Sequence, residues 1–229
     1  MKTIKTICVL LSFFGCLYTA SAQQAATANG QVKQVKQKHP DHVAVYEVLA
    51  SDHSIRHGNY TMQGQHWKAE GAYNDGQRTG VWSFYSTQHG LESQYDFTSL
   101  KQTYERSPAT PDLNAETLVY VNGDYQKRQV ESKAAFVGGA ARLVSVIGKN
   151  MRYPASAQRA GIQGEVLLAL EIDENGQVLE YKVHQSVSDD LDRESLRVFQ
   201  LIPNDWIPAV VDGKPVRSVY LLPFRFRTI

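Results

Sequence analysis

EVLLALEIDENGQVLEYKVHQS, residues 165–186, is the stretch on which the reading of the fold turns. Glu165 to Ile172 is a nearly unbroken apolar run of strand length. Gln177 to Ser186 alternates apolar and polar residues with the period of two that a half-buried strand requires. Between them stands Asp173-Glu174-Asn175-Gly176, and Asn-Gly is the pair that most readily adopts the positive φ angles of a tight hairpin. Ser188 to Ile202 then reads as a helix. Asp189, Asp190 and Asp192 lie in its first turn, where negative charge suits the helix dipole, and Leu191, Ser195, Val198, Phe199 and Ile202 form one inward stripe. Pro203 ends it. Val216 to Arg227 is a third strand, with Tyr220, Leu222, Phe224 and Phe226 on one face and Arg225 and Arg227 on the other. Proline cannot donate to a ladder, so Pro223 places this strand at a sheet edge with one side unpaired.

Upstream of the hairpin, Leu143, Val144 and Ile147 mark one face of a helix that Tyr153-Pro154 breaks. Ser156 to Ala160 forms a further turn closed by Gly161. Further back, Thr117 to Val121 (TLVYV) runs as a strand into a turn at Asn122-Gly123. The pattern leaves open whether this strand closes the preceding region or links it to the following one. From Arg56 to Phe97 a repeat appears. Gly58-Asn59-Tyr60 and Gly80-Val81-Trp82 are 22 residues apart, and Tyr73 and Tyr95 keep the same offset. Aromatics at strand spacing with turns at Asn74-Asp75-Gly76 and Gln88-His89-Gly90 predict successive hairpins. The fold class is therefore α+β: a C-terminal small antiparallel sheet backed by helices, preceded by a mainly β hairpin-repeat region.

At the N-terminus, Lys2 and Lys5 precede an apolar run from Ile7 to Tyr18, and Ala20-Ser21-Ala22 follows. That order is the signature of a secretory signal peptide, residues 1–22, with cleavage after Ala22. The competing readings are an uncleaved inner-membrane anchor and lipidation at Cys16, the latter poorly served by Phe13-Phe14-Gly15. Cys8 and Cys16 both lie here, so a cleaved chain has no thiol chemistry. Cleavage leaves 22 basic against 23 acidic residues, a balance that gives no case for nucleic-acid binding. Residues 23–40 read as a flexible spacer, 41–134 as the repeat region with its connector, and 135–229 as the C-terminal domain.

Motifs for chemistry are scarce. The pairs His39/His42 and His53/His57 have spacings a metal could use, but no cysteine or carboxylate pair completes either set. Nucleophile-elbow, phosphate-loop and zincin motifs are absent from the sequence. The expectation is a binding protein, not an enzyme, with no cofactor and no metal.

Two resemblances sharpen this. GAYNDGQRTGVWSFYSTQHGLESQYDF, residues 71–97, resembles the MORN-like repeats of the YwqK antitoxin family, a resemblance that covers roughly Arg56 to Phe97; a meander whose aromatics are simply core fits the same pattern. YPASAQRAGIQGEVLLALEIDENGQV, SVSDDLDRESLRVFQLIPNDWIPAVVDGKPV and LPFRF closely resemble the TonB C-terminal domain. Phe136, Gly138, Gly139 and Leu143 match the lead-in of TonB-like energy transducers of Bacteroidetes type. The resemblance implies a periplasmic or envelope protein that takes up the TonB-box peptide of outer-membrane TonB-dependent transporters as an added strand. Carried over, the partner-facing residues are Ser218, Val219, Tyr220, Leu221 and Leu222, with Asn150, Tyr153 and Pro154 nearby. Familiar members carry Gln-Pro just before the Tyr-Pro, where this chain has Asn150-Met151. Retention of the N-terminal segment would anchor the chain in the inner membrane and add proton-driven motor proteins as partners. An open edge also admits a homodimer. The chain has a repeat region in place of the family's proline-rich spacer, so an exported adaptor that transmits no energy is the alternative.

Overall fold

The computed structural model describes residues 32–106 and 117–227. The expected signal peptide and the prolines at 108 and 111 lie outside the described residues. Seven strands form the first sheet in strict chain order, each antiparallel to the next. They are β1 (Val32–Lys38), β2 (Val43–Leu49), β3 (Arg56–Gln63), β4 (Trp67–Asn74), β5 (Gln77–Ser86), β6 (Gly90–Asp96) and β7 (Lys101–Glu105). The 22-residue period is thus two strands long. It brings Tyr60 of β3, Tyr73 of β4, Trp82 of β5 and Tyr95 of β6 into one buried aromatic layer. Ring centroids within it are 5.2 to 5.5 Å apart for Tyr60, Tyr73 and Trp82, the separation at which tilted and edge-on aromatic pairs attract. Asp75 and Gly76 both take positive φ (48° and 81°), giving the β4–β5 hairpin its two-residue turn.

Residues 32–38 correct the expectation of a flexible spacer over 23–40. VKQVKQK pairs along its whole length with β2. Its side chains are mostly exposed, so apolar patterning carries little of the signal; the main-chain ladder holds it. Lys33, Lys36 and Lys38 place charge on this outermost strand, which discourages pairing with another chain.

The second half follows the sequence reading closely. β8 (Thr117–Val121) and β9 (Asp124–Arg128) form a hairpin through Asn122 and Gly123, both at positive φ. After β10 (Ala135–Phe136) come α1 (Gly139–Asn150), α2 (Ala155–Arg159), β11 (Gly164–Ile172), β12 (Val178–Gln185) and α3 (Asp189–Phe199). Short strands β13 (Trp206–Ile207), β14 (Ala209–Val211) and β15 (Lys214–Val216) lead into β16 (Ser218–Phe226). The Ser188 side chain caps α3 by accepting from the Leu191 amide, and the whole predicted stripe of that helix is buried. On α1 the buried face is Gly139, Arg142, Leu143 and Val146. Val144, expected inward, is 68% exposed, because it lies about 100° around the helix from Leu143.

The β11–β12 hairpin forms as expected, with a different turn. Among its residues only Gly176 has positive φ. The Asp173 carboxylate instead organises the loop, accepting from the amides of Asn175 (2.9 Å) and Gln177 (2.7 Å). A Cβ at Gly176 would overlap the Trp206 carbonyl, so glycine is required twice over. Leu168, Leu170, Ile172, Leu191, Val198, Phe224 and Phe226 form the core between sheet and helices. Complete burial contributes about 1.5–3 kcal/mol for each such side chain.

The two sheets meet through α1 and β13. Val137 and Ile207 enter the aromatic core of the first sheet. Beside them Arg142, 3% exposed, donates to the Val137 carbonyl (2.8 Å) and lies 3.8 Å from both Asp41 and Asp205. Its guanidinium sits 5.1 Å from the Trp67 ring and 5.0 Å from Phe136. Arg78 of β5 reaches Asp205 at 2.7 Å. Two arginines and two aspartates thus join four otherwise separate segments.

His42 stands at the rim of this cluster, bonded to Asp41 (2.7 Å), stacked on His39 (4.4 Å between centroids) and tilted against Trp67. Burial holds its imidazole below the ordinary value of 6.5, against the opposing pull of Asp41. Between the folded and unfolded values the unfolded chain binds more protons, so stability falls as pH drops through about 6.5 toward the folded value. Urea midpoints measured at about pH 7.5 and 5 will therefore drop further for the natural chain than for His42→Asn. Equal drops would show that His42 does not contribute to the loss.

Candidate functional site

The second sheet has the order β12-β11-β16-β8-β9. β16 pairs with β11 over its full length, from Ser218 opposite Ile172 to Phe226 opposite Gly164. On its other side β8 is antiparallel to it, with Val119 opposite Ser218 and Leu118 opposite Val219. The expectation that the third strand lies at the sheet edge is therefore corrected: it lies third of five. Proline logic limits one side of a strand over a short stretch, and β8 joins that side five residues before Pro223. The same pairing settles where TLVYV belongs. With β9 it extends the sheet formed by β11, β12 and β16.

The direction of the main-chain groups on β16 follows from one bond. The Tyr120 amide donates to the Arg217 carbonyl (2.8 Å), so Arg217 turns its peptide groups away from β11. In an antiparallel ladder this alternates, so Val219, Leu221 and Pro223 turn the same way. Pro223 fits opposite Leu167 because its nitrogen faces away from the β11 ladder. The side chains alternate too. Ser218, Leu222, Phe224 and Phe226 are buried, and Tyr220 packs half-buried on Trp206 at 5.3 Å.

The residues carried over from the family resemblance fall into two groups. Ser218, Val219, Tyr220, Leu221 and Leu222 are consecutive on β16, and of these Ser218 and Leu222 are core positions. Tyr153 packs edge-on against Phe226 (5.7 Å) and donates from its hydroxyl to the Ile162 carbonyl (2.6 Å). Phe226 and Ser218 are opposite ends of a strand roughly 27 Å long. Pro154 caps α2, and half-buried Asn150 is tied locally: its side-chain amide donates to the Val146 carbonyl (2.7 Å) and its main-chain carbonyl accepts from Arg197 (2.7 Å). The structure thus joins the β16 residues and sets Asn150, Tyr153 and Pro154 at the far end.

Arg217 and Glu171 escaped the sequence reading. Arg217 pairs with Glu171 of β11 and lies 4.6 Å from the ring of Tyr120, which in turn meets Tyr125 of β9 at 5.2 Å. Burial, with Glu171 alongside, pushes the Tyr125 phenol up to about 12. Each of these residues is unremarkable in sequence; the β11–β16 register brings Arg217 to Glu171, and β8 adds Tyr120. Among the described residues no cluster of three His, Cys, Asp or Glu could hold a metal, and no helix is long and apolar enough to cross a membrane.

Residues 149–228 match the family model described as the Gram-negative bacterial TonB protein C-terminal, and the antiparallel sheet with its few helices is consistent with such a domain. Protein TonB of Xanthomonas campestris pv. campestris, strain B100, is 44% identical over 57 residues, covering 23% of this chain and 26% of the relative. The protein of the same name from a second strain of that pathovar matches with the same figures. The chain therefore spans about a quarter of the length of the curated relatives it matches. No solved structure matches.

Proposed function

We propose that this chain is a cell-envelope protein whose C-terminal domain takes up the TonB-box peptide of an outer-membrane transporter as an added strand on β16. The observation that carries the reading is the orientation of Val219, Leu221 and Pro223, whose main-chain groups turn away from β11 toward the side where a partner would add. The match of residues 149–228 to the TonB family supports it. Main-chain bonds would supply most of the affinity and the alternating side-chain positions the selectivity.

Leu221→Pro tests this. Leu221 lies opposite Ala169 in the same alternation as Pro223, so a proline there spares the β11 ladder and removes a donor on the partner side. Titration with a TonB-box peptide is expected to give at least a tenfold loss of affinity, with the far-ultraviolet circular dichroism unchanged. Undiminished binding would sink the assignment of the edge.

A second reading, an exported adaptor that holds two envelope partners without passing energy, draws support from the seating of the first sheet on the second through Arg78, Arg142 and Asp205. Mass spectrometry of the mature N-terminus separates the two. An intact Met1 end favours motor coupling, and a start at Gln23 favours the adaptor.

A further inference from the structure

We infer that β8 is a resident strand, occupying in cis the edge of β16 where a partner peptide adds, so that capture proceeds by strand exchange. This rests on the strand-addition reading above and goes beyond it by naming the occupant and the partner's side-chain pattern. The occupancy is direct: Leu118 and Val119 lie opposite Val219 and Ser218, and the Tyr120 amide is bonded to Arg217. These outward main-chain groups are the ones an incoming strand would use.

The attachment is built to hold and to yield. Thr117 and Val119 are buried, and Tyr120 lies against the Arg217 guanidinium, itself paired with Glu171. On its other side β8 is paired with β9 from Thr117 to Val121. Separating β8 from β16 leaves the β8–β9 hairpin, with its own turn at Asn122-Gly123, able to move as a unit.

An orphaned group specifies the partner. The Ser218 hydroxyl is fully buried and has no hydrogen-bond partner among the described residues, and the residue directly opposite it on β8 is Val119. Opposed side chains in an antiparallel pair share a face and stand closest in pairs that exchange no main-chain bonds. Tyr120 and Arg217 are bonded, so Val119 and Ser218 are such a pair. A buried hydroxyl without a partner is costly, and a threonine or serine in place of Val119 would supply the missing bond. The partner is therefore an extended peptide with β-branched residues turned inward, a hydroxyl opposite Ser218 and an aromatic ring over Arg217. Such a strand outcompetes the resident one.

The close pairing permits a lock. In the full chain with Cys8→Ser and Cys16→Ser, Val119→Cys with Ser218→Cys should form a disulfide under mild oxidation. The probes are a TonB-box peptide and two fluorescent peptides, Thr-Leu-Val-Tyr-Val and Thr-Leu-Thr-Tyr-Val. Both are also titrated against an unlocked chain that keeps Ser218. Reduction of the locked chain is expected to tighten TonB-box binding at least tenfold, and Leu118→Pro, which releases the resident strand, should do the same in the natural chain. The threonine peptide should bind the Leu118→Pro chain more tightly than the valine peptide. Failure of the disulfide to form, or equal binding by oxidised and reduced chains, overturns the exchange while leaving peptide capture standing. Equal affinity for the two short peptides overturns the role given to Ser218. Binding of the TonB-box peptide by neither redox form, nor by Leu118→Pro, overturns the capture reading and the exchange with it.

Discussion

Trp82→Ala will cost about 3–5 kcal/mol of stability, the range for deleting a large buried aromatic side chain. Trp82 is fully buried, meets Tyr60, Tyr73 and Phe97 at 5.4 to 5.7 Å, and donates from its indole nitrogen to the Ala72 carbonyl at 3.1 Å. The indole also fills the space over Gly71 so closely that a Cβ there would overlap the ring. No neighbour can collapse into the gap without leaving a strand of the meander, so the cavity term is added to the lost transfer energy. A urea titration followed by circular dichroism should show the midpoint for the first sheet falling by roughly 1–2 M. A shift under about 0.3 M would mean that this layer is not the core of the sheet.

The second large effect is expected from Arg142→Ala, at about 3 kcal/mol. The guanidinium is desolvated, and its neighbours were arranged for a cation: Asp41 and Asp205 on either side, the Val137 carbonyl, and the faces of Trp67 and Phe136. Removing one partner of a buried charge cluster leaves the others uncompensated, which is costlier than never having built it. Asp205 retains Arg78, so Asp41 bears most of the loss. A double-mutant cycle with Asp41→Asn should therefore show strong coupling, and the same substitution at exposed Val144 on α1 should change stability by less than about 0.5 kcal/mol. Additive effects of Arg142→Ala and Asp41→Asn would remove the joint between the sheets from this account.

Legibility in the sequence followed the range of the forces involved. The β11–β12 hairpin, the capped α3 and the aromatic period of 22 residues could be read because each depends on neighbours a few residues away. The turn at Asp173–Gly176 stands where the sequence puts it, but a carboxylate bonding two later amides replaces the positive φ that Asn-Gly leads one to expect at Asn175. β1 was hidden because its polar side chains carry no alternation, and the main-chain ladder that orders it is indifferent to sequence.

The candidate site divides along the same line. Its strand and its inward residues were determined by the sequence alone, because alternation is a property of the local chain; the edge position inferred from Pro223 was not, because β8 pairs on that side. That Arg217, Glu171 and Tyr120 meet, that Tyr153 stands at the far end of β16, and that β8 already lies beside Val219 were decided only by tertiary structure. Register between strands distant in sequence is set by burial of whole faces, here Thr117 and Val119 on one side and Ser218 on the other, and no short window of residues contains that information.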